Sequence, residues 1–160
     1  MRIGIGYDVH RLGEGRGVTL GGVLIPCDHT LIGHSDADVL LHAIMDALLG
    51  AAGLPDIGHC FPNTDPAFRD VSSLKLLQNV MSQVQHAGYV VGNIDATLLA
   101  EAPKIAPFIP RMREKIATCV QVSPQAIGIK ATTNETLGAI GRGERIAAMA
   151  VALLMERTAS

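Results

Sequence analysis

The sequence is poor in aromatic residues and in charge. Aromatic side chains make up 3% of its 160 residues, tryptophan is absent, and charged residues make up 18%. The net charge of −2 shows no basic surplus, so we do not expect a nucleic-acid partner. The cysteines Cys27, Cys60 and Cys119 form no C-x-x-C pair. Their odd number and wide spacing argue against a disulfide framework and a thiolate zinc site, and favour a reducing compartment.

Long apolar runs are also lacking. The longest uncharged one, residues 146–155, is about half of the roughly 20 residues that a membrane-spanning helix needs. The start, MRIGIGYDVH, reaches a charge at Asp8 without a long apolar region, which is not typical of a signal peptide. We therefore expect a cytoplasmic protein with no membrane partner.

Aliphatic residues, by contrast, are abundant. Apolar residues make up 48% of the chain. This surplus fits either an oligomer, whose interfaces resemble cores, or a compact monomer rich in alanine and glycine. The sequence shows no internal repeat, low-complexity tract or linker, so we expect a single domain over residues 1–160.

Local patterns predict an α/β fold of the α+β type, with helices packed on one face of a mixed sheet. Residues 35–52 begin with Ser35 in a capping-box pattern and continue as a helix. Residues 146–155 are ambiguous, because their alanines favour a helix while an unbroken apolar run also suits a buried strand. The other predicted elements are strands at 2–11, 89–99 and 127–132, a Gly-Gly hairpin at 18–26, a loop at 53–70, and helices at 72–87 and from Pro107 or Pro110 to about 121.

Asp8 and His10 lie two residues apart in the first predicted strand, in the stretch GYDVH. Side chains at i and i+2 of a strand share a face, so these two point the same way. They belong either to a solvated edge or to a metal site. The second interpretation requires a third ligand from elsewhere in the chain.

A polar stripe runs along the first predicted helix. Ser35, Asp38, His42 and Asp46 recur at steps of three or four residues, while the other faces are aliphatic. The stripe either faces water or supports a metal ligand, since a carboxylate beside a histidine can fix its tautomer. His42 would complete the strand pair into the His/His/Asp set that zinc accepts, with a fourth position open to substrate.

Three other segments suit a phosphorylated ligand, and each has a plain structural alternative. Residues 130–135 place hydroxyls, backbone N–H groups and a carboxylate at the end of a predicted strand. These groups could bind phosphate and Mg²⁺, or the segment could be a Thr/Asn turn with capping hydroxyls. Residues 56–65 offer hydroxyl acceptors or form a Pro-rich turn. Residues 100–104 offer exposed backbone and one cation to a base or phosphate, or form a simple loop.

Taken together, these stretches carry a resemblance to one family over the whole chain. The motifs are GYDVHR, LGGVLIP, HSDADVLLHAIMDALLGAAGLPDIG, FPNTDPAF, NIDATLLAEAPK, IPRMR and IKATTNETLGAIGRGERIAA. The sequence resembles the 2-C-methyl-D-erythritol 2,4-cyclodiphosphate synthases of non-mevalonate isoprenoid biosynthesis. Such enzymes are phosphorus–oxygen lyases that convert 4-diphosphocytidyl-2-C-methyl-D-erythritol 2-phosphate into the cyclic diphosphate and CMP.

The resemblance implies an assembly and two metals. The chain would form a homotrimer around a threefold axis, with active sites between subunits and residues 146–155 as a central strand. Zinc, one ion per subunit, would bind Asp8, His10 and His42. A second divalent ion, Mg²⁺ or Mn²⁺, would bridge the substrate diphosphate and Glu135. An isoprenoid diphosphate would occupy a cavity on the axis.

The resemblance also assigns the remaining site residues. His34 and Thr133 would stabilise the transition state. The implied substrate contacts are the zinc ligands Asp8 and His10, Ser35 at the 2-phosphate, Asp56, Ile57, Gly58, Phe61, Asn63, Thr64 and Asp65 at the methylerythritol, Ala100, Pro103, Lys104, Ile105, Ala106, Thr132, Thr133, Asn134 and Glu135 at the cytidine part, and Arg142.

Three positions depart from the common family pattern. Asn63 replaces an aspartate, Ala139 stands where phenylalanine is common at the central cavity, and Tyr7 stands where phenylalanine is frequent. Two other functions remain as alternatives: a non-catalytic trimer that binds a nucleotide around a structural zinc, and a zinc phosphohydrolase that uses water.

Overall fold

The computed structural model describes residues 1–33, 35–62, 64–68 and 71–157. Its strands are β1 (Arg2–Glu14), β2 (Val18–Leu20), β3 (Val23–Ile25), β4 (His29–Ile32), β5 (Tyr89–Leu99), β6 (Ile127–Thr132) and β7 (Arg145–Glu156). Its α-helices are α1 (Val39–Ala52), α2 (Ile57–Cys60), α3 (Ser73–His86), α4 (Ile109–Val120) and α5 (Gly138–Gly141). Short 3-10 turns lie at Pro66–Phe68, Ala106–Phe108 and Pro124–Ala126.

Five of the described strands form one mixed sheet in the order β4-β1-β7-β5-β6. The β5–β6 pair is parallel and the other neighbours are antiparallel. The β2–β3 hairpin forms a separate two-stranded sheet around Gly21 and Gly22, whose φ values of 57° and 71° suit the turn. The predicted mixed sheet and hairpin are therefore confirmed.

The strand at the centre of this sheet is β7, which local propensity left ambiguous. Hydrogen bonds to β1 on one side and to β5 on the other occupy both of its edges. Long-range pairing thus overrides the helix propensity of its alanines. None of the helices in the described residues is long and apolar enough to cross a membrane.

Helix α1 packs directly on the backbone of β1. A Cβ atom added to Gly4 would lie 2.0 Å from the Ala47 carbonyl oxygen, and one added to Gly6 would lie 1.9 Å from that of Ala43. Both distances are far inside van der Waals contact, so only glycine fits at these two positions. Since β1 carries Asp8 beyond these glycines, the close packing sets the distance from β1 to the side chains of α1.

The opposite face of β1 and β7 is exposed and apolar. Ile5 pairs with Val151 and Tyr7 with Met149 across the two strands. All four side chains are exposed, Ile5 by 66% and Val151 by 43%. Monomeric proteins seldom leave such a continuous apolar surface in water.

The start of α1 corrects the capping prediction. The helix begins at Val39, and its N-cap is Asp38 rather than Ser35. Ala37 has a left-handed φ of 54°, which ends any helix that begins earlier. The fully buried Asp38 carboxylate accepts N–H bonds from Gly21 (2.9 Å), Gly22 (2.7 Å) and Leu41 (3.1 Å). Burial raises the pKa of this carboxyl group to about 6.

Candidate active site

The strand pair and the helix histidine meet in space. Asp8 Oδ2 lies 3.0 Å from His10 Nε2 and 2.9 Å from His42 Nδ1. The two imidazole nitrogens are 3.2 Å apart. The structure thus brings the three predicted ligands of one metal ion to a single point between β1 and α1.

The ring of His10 is held by the end of β4. Its Nδ1 lies 3.0 Å from the Ile32 carbonyl oxygen, which can only accept a hydrogen bond. Nδ1 therefore carries the hydrogen, and the lone pair of the neutral ring is on Nε2. That lone pair faces Asp8 and His42.

The ring of His42 is held from behind by Ser73. His42 Nε2 lies 3.0 Å from Ser73 Oγ, and the Ser73 hydroxyl donates its own hydrogen to Asp36 Oδ1. With that hydrogen committed, Ser73 Oγ accepts from His42, so Nε2 carries the hydrogen and Nδ1 the lone pair. Ser35 Oγ lies 3.2 Å from the same Nε2.

This donor set fits a metal cation. With both rings neutral, lone pairs of Asp8, His10 and His42 converge with no hydrogen between them, an arrangement that a bound cation would stabilise. Burial alone would raise the pKa of Asp8, but in the metal-free protein a ring that takes up a second proton donates it to Asp8, and these hydrogen bonds hold that pKa well below its usual range. The hydrogen bond with Asp8 raises the pKa of His10 against the effect of burial. The lowered pKa keeps Asp8 ionised, and the raised pKa favours the protonated form of His10, so both shifts show that the site favours positive charge beside the Asp8 carboxylate.

The two carboxylates of the polar stripe accept hydrogen bonds from backbone N–H groups rather than from the His42 ring. Asp38 binds the β2–β3 turn and the first turn of α1, as described above. Asp46 accepts the backbone N–H of Ile57 at 2.9 Å. Besides its fellow ligand Asp8, the carboxylate that reaches His42 among the contacts of the described residues is that of Asp36, through Ser73. Sequence spacing misses this pair, because Asp36 and Ser73 are 37 positions apart.

A cavity of about 370 Å³ opens over the three ligands. Of the residues predicted to contact substrate, its lining includes Asp8, His10, Ser35, Ile57, Gly58 and Phe61. Asp56 caps the short helix α2 instead, accepting the His59 backbone N–H at 2.9 Å. Thr64 and Asp65 are exposed and do not line this cavity, while His34 and Asn63 lie outside the described residues.

A second cavity of about 380 Å³ lies where β5 and β6 end. Its lining joins two predicted segments and comprises Ala100, Glu101, Pro103, Lys104, Ile105, Ala106, Ala131, Thr132 and Thr133. Beside it, the Thr133 hydroxyl donates to Glu135 Oε1 at 3.2 Å. Arg142 lies apart from this lining and pairs with Glu144 at 2.6 Å.

Glu101 anchors the loop that follows β6. Its carboxylate accepts the backbone N–H groups of Asn134 (2.8 Å) and Thr136 (3.3 Å). The loop requires an anchor because Glu135 and Thr136 both have left-handed φ values, 49° and 62°. Sequence reasoning missed this role; the signal was a carboxylate at the end of a predicted strand.

The two cavities lie at one level of the sheet but share no lining residue in the described parts of the chain. The register pairs Val9 with Ala147, Ala147 with Leu99 and Leu99 with Thr132. Three strand spacings separate the cavities, about 14 Å. One chain thus carries two separate cavities, one over the three metal-ligating side chains and one where β5 and β6 end.

Comparisons with known proteins identify the family and the fold of this chain. The YgbB family model matches residues 1–155. A Stutzerimonas stutzeri protein named 2-C-methyl-D-erythritol 2,4-cyclodiphosphate synthase is 61% identical over 155 residues, which cover 97% of this chain and 99% of that protein. The bifunctional IspDF of Campylobacter jejuni has a TM-score of 0.93 at 41% identity, covering 97% of this chain and 42% of that one. The Plasmodium falciparum IspF–CDP complex has a TM-score of 0.85 at 34% identity, covering 98% and 97% of the two chains.

Proposed function

Because the chain belongs to the YgbB family of 2-C-methyl-D-erythritol 2,4-cyclodiphosphate synthases, we propose that it converts 4-diphosphocytidyl-2-C-methyl-D-erythritol 2-phosphate into 2-C-methyl-D-erythritol 2,4-cyclodiphosphate and CMP. It would act as a cytoplasmic phosphorus–oxygen lyase of the non-mevalonate isoprenoid pathway. The observation that carries the proposal is the three-ligand centre at the floor of a cavity.

The metal proposed for Asp8, His10 and His42 is zinc, one ion per chain. Two imidazole nitrogens and one carboxylate oxygen are a ligand set typical of zinc sites that keep a position open for substrate. When bound, the ion would neutralise phosphate charge at that open position. Glu135, exposed beside the second cavity and hydrogen-bonded to its lining residue Thr133, is the proposed protein ligand of Mg²⁺ or Mn²⁺ held with the substrate diphosphate.

The reaction requires the protein to hold the 2-phosphate against the diphosphate and to compensate the negative charge of both groups. An oxygen of the 2-phosphate forms a bond to the β-phosphorus, and the bond from that phosphorus to the CMP oxygen breaks. The attacking phosphate is already an anion at neutral pH, so the chain need not supply a general base. Holding the two phosphates together could lower the barrier by about 7 kcal/mol.

Each predicted residue has a place in this proposal. Ser35, whose hydroxyl lies in the metal cavity, would bind the 2-phosphate. Thr133 and His34 would stabilise the developing charge. The methylerythritol would contact Asp56, Ile57, Gly58, Phe61, Asn63, Thr64 and Asp65, and the cytidine part Ala100, Pro103, Lys104, Ile105, Ala106, Thr132, Thr133, Asn134 and Glu135.

Phosphorus NMR tests the reaction directly. The protein is incubated with the diphosphocytidyl substrate, Zn²⁺ and Mg²⁺, and the products are followed over time. CMP together with a cyclic diphosphate is expected. CMP with an open-chain phosphate would instead identify a phosphohydrolase, and no CMP would leave only a binding protein.

We further propose that three chains associate through the apolar face of β1 and β7. The face is continuous across the two strands, and its side chains are exposed in one chain. Burial of about 1,000 Å² or more is needed for a stable interface, and a second copy with the same apolar face supplies a matching surface. Arg142 would then face the threefold axis, where an isoprenoid diphosphate would bind beside Ala139.

Substitution of Val151 by lysine is expected to break the assembly. The wild-type mass should be about three times the 16.8 kDa of one chain, and the Val151→Lys mass should approach that of one chain. A buried lysine without a partner opposes association strongly. Light scattering after gel filtration measures both masses, and Asn79→Lys on the exposed side of α3 adds the same charge as a control. An unchanged trimer in Val151→Lys would contradict this interface.

Active sites shared between subunits predict complementation between two inactive variants. His42→Ala damages the metal half-site, and Glu101→Ala releases the loop of the other half-site. Mixed trimers from co-expression should regain about a quarter of wild-type activity, because each interface pairs two half-sites at random. Each variant expressed alone is the control. If both halves act within one chain, the mixture will stay inactive.

A further inference from the structure

A hydrogen-bonded pair, Asp36 and Ser73, lies behind the His42 ring. Ser73 is the first residue of α3 and is fully buried. Its hydroxyl donates to Asp36 Oδ1, and its backbone N–H donates to Asp36 Oδ2 at 2.9 Å. Asp36 precedes α1, so the pair ties the start of α3 to the segment that leads into the helix of His42.

The single hydrogen of the Ser73 hydroxyl determines which groups donate and which accept in these hydrogen bonds. A hydroxyl has one hydrogen, and here a carboxylate, which can only accept, receives it. The His42 Nε2 atom, 3.0 Å from the same oxygen, must therefore be the donor. In the neutral ring this leaves the lone pair on Nδ1, facing Asp8 Oδ2 at 2.9 Å.

The opposite tautomer would block the site. A hydrogen on His42 Nδ1 would point at Asp8 and occupy the space of the metal ion. The Asp8 carboxylate favours that arrangement in the absence of metal, since it accepts hydrogen bonds. A group on the far side of the ring must oppose it.

Resting on the proposed metal site, we propose that Asp36 and Ser73 are positioning residues that hold His42 in its Nε2–H tautomer and present Nδ1 to the metal. Ser73 is the acceptor, and the negative charge of Asp36 keeps the Ser73 hydrogen turned away from His42. Ser35 Oγ lies farther from Nε2, at 3.2 Å, lines the open cavity, and is left for substrate.

Zinc affinity tests the proposal without reference to activity. Ser73→Ala should weaken zinc binding by about 10- to 100-fold, the usual effect of removing such an orienting group. A competing fluorescent chelator measures the affinity, and the melting temperature of metal-free protein reports folding. Ser82→Ala is the matched control, because Ser82 is an exposed serine of the same helix whose hydroxyl donates to the Gln78 carbonyl oxygen one turn earlier.

The tautomer itself can be read by ¹⁵N NMR of histidine-labelled, metal-free protein at a pH where the ring is neutral. His42 should be in the Nε2–H form in wild type and should shift towards Nδ1–H in Ser73→Ala. Asp36→Asn should weaken zinc binding in the same way. The double variant should lose little more than Ser73→Ala alone, because Asp36 acts through Ser73.

The outcomes separate this proposal from the one on which it rests. Wild type without stoichiometric zinc binding would overturn the metal site and this proposal with it. Wild type that binds zinc, with Ser73→Ala and Asp36→Asn both within twofold of it, would overturn the positioning role alone. A predominantly Nδ1–H His42 in wild type would do the same.

Discussion

Replacing His42 with alanine is expected to abolish stoichiometric zinc binding and to lower kcat/KM by about 10³-fold. The substitution leaves Asp8 and His10 as a pair of ligands on one strand, so a metal ion would no longer link β1 to α1. A bound metal ion is worth several kcal/mol of charge stabilisation in phosphate chemistry, and each 1.36 kcal/mol is a factor of ten. Metal analysis of the purified protein and the CMP assay measure the two losses.

The two losses should occur together, and a surface histidine serves as the control. His86 is exposed in the last turn of α3, so His86→Ala should retain both zinc and activity. If His42→Ala kept one zinc per chain, the proposed ligand set would be wrong.

Replacing Gly6 with alanine is expected to destabilise the protein by about 3 kcal/mol or more. The new Cβ would lie 1.9 Å from the Ala43 carbonyl oxygen and 2.8 Å from the Ala47 backbone nitrogen. Both are backbone atoms of α1, so a side-chain rotation cannot relieve the clash and the helix must move away from β1. Since that movement separates His42 from the strand ligands, zinc affinity should fall as well. Urea denaturation and chelator competition measure the two effects.

Another glycine of the same region provides the matched control. Gly50 lies within α1, and a Cβ added there has no neighbour within 4 Å. Gly50→Ala should therefore stabilise the protein, by about 0.5–1 kcal/mol from helix propensity. A free energy of unfolding equal to that of wild type in Gly6→Ala would mean that α1 does not pack directly on the backbone of β1.

The elements that the sequence predicts well are those whose local signals agree with their surroundings. The strand predicted at 89–99 is observed as Tyr89–Leu99, and the hairpin forms around Gly21 and Gly22. The predicted start of α1 was wrong because Ala37 has a left-handed backbone conformation, which alanine does not favour and which the sequence therefore does not predict. The strand β7 was ambiguous because its pairing partners, β1 and β5, lie far away in sequence.

The candidate site shows the same division. Spacing put Asp8 and His10 on one face of a strand and offered His42 as a third ligand, but only the resemblance to a family implied that the strand and the helix meet. A local signal for that meeting was present in Gly4 and Gly6, which alternate on the face of the ligands and leave room for a helix. Asp36, Ser73 and Glu101 escaped prediction because their partners are about 30 or more residues distant.

The alternation along β1 makes the length of this strand as important as its composition. One face carries Gly4, Gly6, Asp8 and His10 towards α1, and the other carries the apolar residues Ile3, Ile5 and Tyr7. A single inserted or deleted residue before Asp8 would exchange the two faces of the preceding segment. Branched and aromatic side chains would then be driven into the helix, and the outer surface would lose its apolar contacts. An insertion or deletion in β1 would therefore damage metal binding and association together, whereas a substitution can affect one of them alone.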